Sequence, residues 1–451
     1  MSKERLIAKD LVDDYLEGGM SRREMLTKAG ALGLSVPVLT AALGARGAVG
    51  QEASPAASPA ASPAEDEVVE FGNYDGQTLR VSIAMAESEK TVFNEVVVNG
   101  FKEATGGTIE VSDIEAADVV RTLEAQVGSD NITLDMAVID NNTLAPLVDG
   151  GLVEEIADAE SIMPGATIEA LKEVLQFDGT YYFLPARPNV QITYYNSAKF
   201  EEWGISEPPA TWEDVKAVGQ TIVDNAGVGQ ISIQGVPGGP AGVTVTQFIW
   251  QAGGDPLEIN NEAGVAAFQF MADLKPFLTP QWPTATFDTT NTYMLNESAV
   301  LAQNWPFGVN TIVGEGGKTE VLAYAGWEGP AGNALVLGGD VFGIAKGTQN
   351  YDMAVDVAKF WMQRSVQEEF TARIGWASMR DDALGTVEDW QEPYFEVVTE
   401  ALGYTRPRPN LVYWLDVENI LSNALNDIVS GGADVQETVD RYQEELNALQ
   451  G

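Results

Sequence analysis

LRVSIAMAESEKTVFNEVVVNGFKEATGGTIEVSDIEAADVVRTLEAQVGSDNITLDMAVI, residues 79–139, switches repeatedly between the hydrophobic period of a strand and that of a helix. Leu79, Val81 and Ile83 alternate as in a strand, and Phe93, Val97, Phe101 and Ala104 then recur at helical spacing. Gly106 and Gly107 stop that helix, and Ile109 and Val111 open a second strand. Val119, Val120, Leu123 and Val127 mark a second helix, and Met136 to Ile139 reads as a short buried strand. Alternation of this kind predicts an α/β fold with a parallel sheet and helices on both faces. Ligands of such sheets bind at the carboxyl ends of the strands, which here are Glu87 and Ser88, then Asp140, Asn141 and Asn142. A turn in which Asn141 caps the next helix is the alternative for that last group.

Outward from this segment the pattern continues. In PPATWEDVKAVGQTI, Thr211 is placed to cap a helix, with Asp214 three residues on and Trp212, Val215, Val218 and Ile222 as its buried stripe. The final third is helical, with stripes at Val355, Ala358, Trp361 and Met362, at Val417, Ile420, Leu421 and Leu425, and at Val435, Val439, Tyr442, Leu446 and Leu449. With 451 residues, 45% of them hydrophobic, the chain can fill two packed lobes. It has no Cys and no His, which excludes disulfides, thiolate or imidazole metal sites, and Cys or His catalysis. Neither a metal nor a cofactor is expected. Its 67 acidic residues face 25 basic ones, a formal charge of -42, which argues against nucleic acid or anionic lipid as a partner.

The N-terminus is set apart. SRREMLTKAG carries Arg22 and Arg23 ahead of a short apolar run from Ala29 to Ala45, the order of a twin-arginine export signal, with small residues before Gln51 that permit cleavage. No Cys follows to carry a lipid anchor. EASPAASPAASPAEDE, residues 52–67, has no apolar side chain larger than Ala and reads as a tether. The expected layout is a signal region at 1–50, a linker at 51–78, one lobe from 79–188 with 325–366, and a second from 189–324 with 367–451. The chain would cross between them near 186–190, 323–328 and 364–368.

FDGTYYFLPARPNVQITYYNSAKFEEWGISEPPATWEDV, residues 177–215, resembles the pattern "dGk.yglP......yYN...f...G...PP.TWdE" of family 1 extracellular solute-binding proteins of ABC transporters, the group of the maltose- and oligosaccharide-binding proteins. LEAQVGSDNITLDMAVIDNNTLAPLVDGGLVEEI before it, and IWQAGGD, NESAVLAQNW, LGGDVFGIAKGTQNYDMAVDVAKFW and RPRPNLVYW after it, follow the same family order. Leu134 stands where the family has Pro, Asp340 where an aromatic is usual, and Asn304 to Phe307 replaces a "GPW" element.

The resemblance implies a two-lobed periplasmic-binding-protein-like fold (type II), each lobe a sheet flanked by helices, with a cleft between. It implies a protein that is not an enzyme and that passes a small polar solute, foremost a sugar, to an ABC permease and its ATPase; a monomer is expected, and Arg22 and Arg23 imply export through the twin-arginine translocase. Arg187 and Asn189 in LPARPN fall at the first crossing, and the position of Asn189 matches a sugar contact in maltose-type members; a surface or lobe-bridging ion pair is the alternative for Arg187. Trp305, Trp376 and Trp414 are candidate stacking rings, Trp414 by alignment with a sugar-stacking Trp, each with a place in the core as its alternative. Asp140, Asn141, Glu87 and Asp340 complete the candidate ligand-binding set. A polyamine receptor of the same fold, which an anionic cleft would suit, and a secreted carbohydrate-active hydrolase are the alternative functions; 67 carboxylates leave glycoside hydrolysis open by count, although the sequence distinguishes no one pair.

Overall fold

The computed structural model describes residues 69–83, 87–114, 116–383 and 387–450. Arg22, Arg23, the apolar run and the Ser-Pro-Ala repeat lie outside the described residues. So does the side chain of Glu87. Among the described residues no helix is long and apolar enough to cross a membrane.

Strands β1 (Thr78–Ser82), β2 (Thr108–Ser112) and β3 (Met136–Asp140) are parallel, with β1 in the middle. Leu79 and Val81 on one face of β1 and Ser82 on the other are all buried, as expected of a strand covered on both sides. β4 (Phe183–Val190) leads through Gln191 into β5 (Ile192–Asn196), which joins β6 (Ile231–Ser232), β7 (Leu301–Asn304) and β8 (Val321–Tyr324) in a second sheet of order β8-β5-β7-β6. β9 (Leu335–Ile344) then returns antiparallel to both β3 and β4, and β10 (Thr405–Pro407) lies parallel to the start of β9. Both sheets are therefore mixed rather than parallel throughout. Strands that return from the other half of the molecule enter the sheet from its opposite end, and the local βαβ pattern carries no sign of this.

The helices that matter for the site are α1 (Glu87–Phe93), α2 (Trp212–Ala226), α3 (Gly239–Gln251), α4 (Phe287–Leu295), α5 (Arg364–Ile374) and α6 (Trp414–Val429). α2 begins as its sequence requires, with Thr211 and Asp214 forming a reciprocal capping box. α1 runs on through a wider turn at Asn94–Val98 into Asn99–Thr105, which ends at Gly106 with φ +77°. Phe93, Val97 and Phe101 on this continuous run are buried, while Ala104 is exposed and Thr105 takes its place.

Two large hydrophobic cores result. One collects residues from Tyr74 to Ala186 and from Leu337 to Met379; the other collects Phe200 to Leu301, Trp327, and Trp414 to Leu446. A smaller third cluster, containing Val190, Ile192, Leu335, Tyr394 and Val398, packs where the chain passes between them. The third passage differs from the expected one. Phe370, Trp376 and Met379 belong to the first core, so the chain stays with it through α5 and leaves only after β10. Trp327, inside the expected second passage, packs into the second core, so that lobe runs on past its expected end at 324.

Candidate functional site

β4 and β9 form the floor of the cleft. Asn189, Pro188 and Arg187 lie opposite Gly338, Gly339 and Asp340, with a register shift directly after Asp340. Two glycines make this close pairing possible. Gly339 sits at φ +126°, where a Cβ would fall 2.3 Å from the Arg187 carbonyl oxygen, and a Cβ on Gly338 would fall 2.8 Å from the Trp305 ring. Any larger residue at either place would displace the strand or the indole.

The bulge sets Asp340 beside Arg187, whose Nε donates to Asp340 Oδ2 at 2.5 Å. The flat guanidinium also stacks on Trp376, its Cζ 3.9 Å from the ring centroid, and Trp376 Nε1 in turn donates to Glu89 Oε1 at 2.8 Å. Burial works against the charge on Arg187, but Asp340, Glu89 and Asp140 outweigh it and hold its pKa above the ordinary value. Arg187 is thus fixed in place and permanently charged, with its donors partly committed before any ligand arrives.

A second arginine stands nearby. Arg408 Nη2 donates to Asp140 Oδ1 at 2.7 Å and to Asn141 Oδ1 at 2.6 Å, and Nη1 donates to Glu418 Oε1 at 3.2 Å. The Arg408 pKa is raised in the same way, burial being overcome by Asp140 and Glu418. Burial pushes the Glu418 carboxyl up, against the pull of Arg408.

Above this floor opens a cleft of about 620 Å³. The first lobe contributes Glu89 from α1, Asp113 after β2, Asp140 at the end of β3 and Asn142 just beyond it, and Trp376 after α5. The second contributes Pro240 and Val243 of α3, Phe287 and Asp288 of α4, and Trp305 to Phe307 after β7. Aromatic faces and charged or amide groups therefore line one space, the combination that holds a polar, ring-shaped solute. No group of residues able to hold a metal occurs among the described residues.

Of the residues singled out in the sequence, Arg187, Asn189, Asp140, Trp305 and Trp376 line this cleft together. Asp340 supports it through Arg187. Asn141 does not line it: its amide donates to the Leu337 carbonyl and its oxygen accepts from Arg408, while the next residue, Asn142, faces the cleft. Glu89, two residues after Glu87, lines the cleft. Trp414 departs furthest from expectation. It is 1% exposed within the second core and donates to Glu418 Oε1 at 3.0 Å, behind the cleft rather than in it. Its phase on α6 matches Val417, Leu421 and Leu425, a periodic signal for core that was present in the sequence. Arg408, Asp113, Phe287, Asp288 and Phe307 were not anticipated; each comes from a loop or helix start whose place at the cleft depends on the tertiary fold.

Two lobes, three crossings and a polar cleft over the crossing strands define a ligand-capturing protein of the binding-protein type. The chain belongs to the family of bacterial extracellular solute-binding proteins, whose model matches residues 97–396. It is 24% identical over 339 residues to an ABC transporter-binding protein of Deinococcus radiodurans, covering 67% of this chain and 78% of that one. Its fold is that of the maltose-bound MalE3 of T. maritima, at 19% identity and a TM-score of 0.74, covering 83% of this chain and 100% of that one. It is similarly that of the cyclic alpha-maltosyl-1,6-maltose binding protein from Arthrobacter globiformis, at 22% identity and a TM-score of 0.69, covering 82% and 98%.

Proposed function

We propose that this protein is the exported receptor of an ABC importer, that it captures a sugar in the cleft by closing its lobes, and that it hands the sugar to a membrane permease driven by an ATPase. One observation carries the reading: Trp305, Trp376 and Phe287 enter the same 620 Å³ space as Arg187, Asn189, Asp140 and Asp288. That volume lies within the roughly 300–1,000 Å³ typical of small-molecule sites. The rings offer faces to the C–H surface of a sugar, and the polar groups offer donors and acceptors to its hydroxyls. The maltose-type ligands of the two similar structures and the transporter named for the Deinococcus relative support the same reading. A solute touching both walls favours the closed arrangement by its differential affinity alone.

A polyamine is the second reading, because Glu89, Asp113, Asp140 and Asp288 outnumber Arg187 and Arg408 along the cleft. Titration calorimetry with maltose, maltotriose, glucose and spermidine tests both. A neutral sugar bound at micromolar Kd and recovered unchanged is the expected result. Spermidine binding without sugar binding, or hydrolysis of the glycosides, would overturn it.

A further inference from the structure

Arg408 lies at the point where the chain leaves β10 of the first sheet for α6 of the second core, and its side chain is 4% exposed. It is the joint between two acidic groups on opposite lobes. Asp140 ends β3 and Asn141 follows it on one side, and Glu418 projects from α6 on the other. Asp140 is also a cleft residue, with its side chain 41% exposed, so a solute that touches Asp140 touches a partner of the hinge guanidinium.

The two pairings are unequal. Toward the first lobe, Nη2 makes contacts of 2.6 and 2.7 Å; toward the second, Nη1 makes one of 3.2 Å, leaving Arg408 Nε and Glu418 Oε2 buried without partners. A guanidinium and a carboxylate can also pair through two parallel hydrogen bonds, the stronger arrangement. Here Glu418 Oε2 is free to join such a pair, but Nη2, which any two-bond pair with Glu418 needs, is held by Asp140 and Asn141. Separating either lobe from a buried guanidinium without a replacement contact is strongly unfavourable, so lobe movement requires Arg408 to exchange partners rather than stretch.

We propose that Arg408 is a two-position latch. In one position it holds Asp140 and Asn141 of the first lobe, and in the other it forms a two-bond pair with Glu418, so that the separation of the lobes takes discrete values. Contact between solute and Asp140 biases the exchange. This makes Arg408 a positioning residue for closure, and the idea rests on the reading of the cleft as a solute site. Lysine keeps the charge but offers a single point donor that cannot form the two-bond pair.

The absence of cysteine makes the test direct. Glu103→Cys on the first lobe and Glu213→Cys on the second, both at exposed positions, carry spin labels for pulsed distance measurement in the full chain. In the ligand-free protein the expected result is a distribution with separate peaks that merges into one broad peak in Arg408→Lys and in Glu418→Gln. Adding a sugar that binds should move the parent population to the shorter peak and lower affinity about tenfold in Arg408→Lys. Unchanged ligand-free distributions in both variants would overturn the latch, even with a lowered melting temperature, because a merely structural arginine would show that outcome. If no sugar in the panel binds, the transport reading fails while the ligand-free distances still decide the latch.

Discussion

Asp135 illustrates how a single charge secures the first sheet. Its side chain is 1% exposed and accepts from Arg80 Nε and Nη2 and from the Arg80 backbone amide, at 2.9, 3.1 and 2.9 Å, and from Thr348 and Asn350 at 2.7 and 3.1 Å. Burial would raise its pKa, but these hydrogen bonds outweigh burial and hold it below the ordinary aspartate value. A depressed pKa stabilises the fold at every pH above the unfolded value and loses that contribution as pH falls through the folded value. Asp135→Asn should therefore cost about 2 kcal/mol at pH 7, and the gap to the parent in urea unfolding should shrink as the pH is lowered below 4. A gap that persists unchanged to pH 2 would show that shape, not charge, is what Asp135 supplies. The two arginines of RPRPN show the limit of sequence at this scale. Arg406 is exposed and Arg408 buried. A strand's period of two would treat them alike, but β10 ends at Pro407, and beyond it Arg408 points inward to Asp140, Asn141 and Glu418.

At the scale of elements, α6 and the segment after β7 separate two tryptophans that the sequence offered for the same role. Trp414 opens α6 in phase with the stripe that packs against α3, where Gly242 leaves room for the Glu418 side chain. Trp305 follows β7 and packs with Val243, Phe287 and Phe307 at the cleft wall. Trp414→Ala should therefore cost about 3–5 kcal/mol of folding stability. Trp305→Ala should weaken solute binding by about 1–3 kcal/mol with a smaller loss of stability. Calorimetric melting and titration of both variants check this, and the reverse ordering would return Trp414 to the cleft. Capping boxes, helix stripes and the first βα units could be read from the sequence because they depend on neighbours within a few turns. Antiparallel β9, the bulge after Asp340 and the Arg187–Trp376 stack could not, because each is created by segments more than 140 residues apart in the chain.

The whole molecule is interleaved: the first core needs residues from Tyr74 to Met379 and the second needs residues from Phe200 to Leu446. Neither core can be completed until most of the chain has been made, and pairings of such sequence separation form slowly because loop closure precedes any gain from packing. With no Cys in the chain, no disulfide can hold a partly folded lobe together after export. A route that carries proteins already folded suits this topology, and Arg22 and Arg23 ahead of an apolar run fit the signal for it. We infer that the body completes both lobes inside the cell and crosses the membrane folded. Replacing Arg22 and Arg23 together by Lys keeps the charge and removes the planar donors that a receptor reads. In a host with a twin-arginine translocase, the variant should remain inside the cell as a protease-resistant, sugar-binding protein, while the parent reaches the exterior. Fractionation followed by limited proteolysis reads both properties at once. Undiminished secretion of the Lys variant would assign export to another pathway, and a protease-sensitive intracellular pool would show that the body does not complete its fold before crossing.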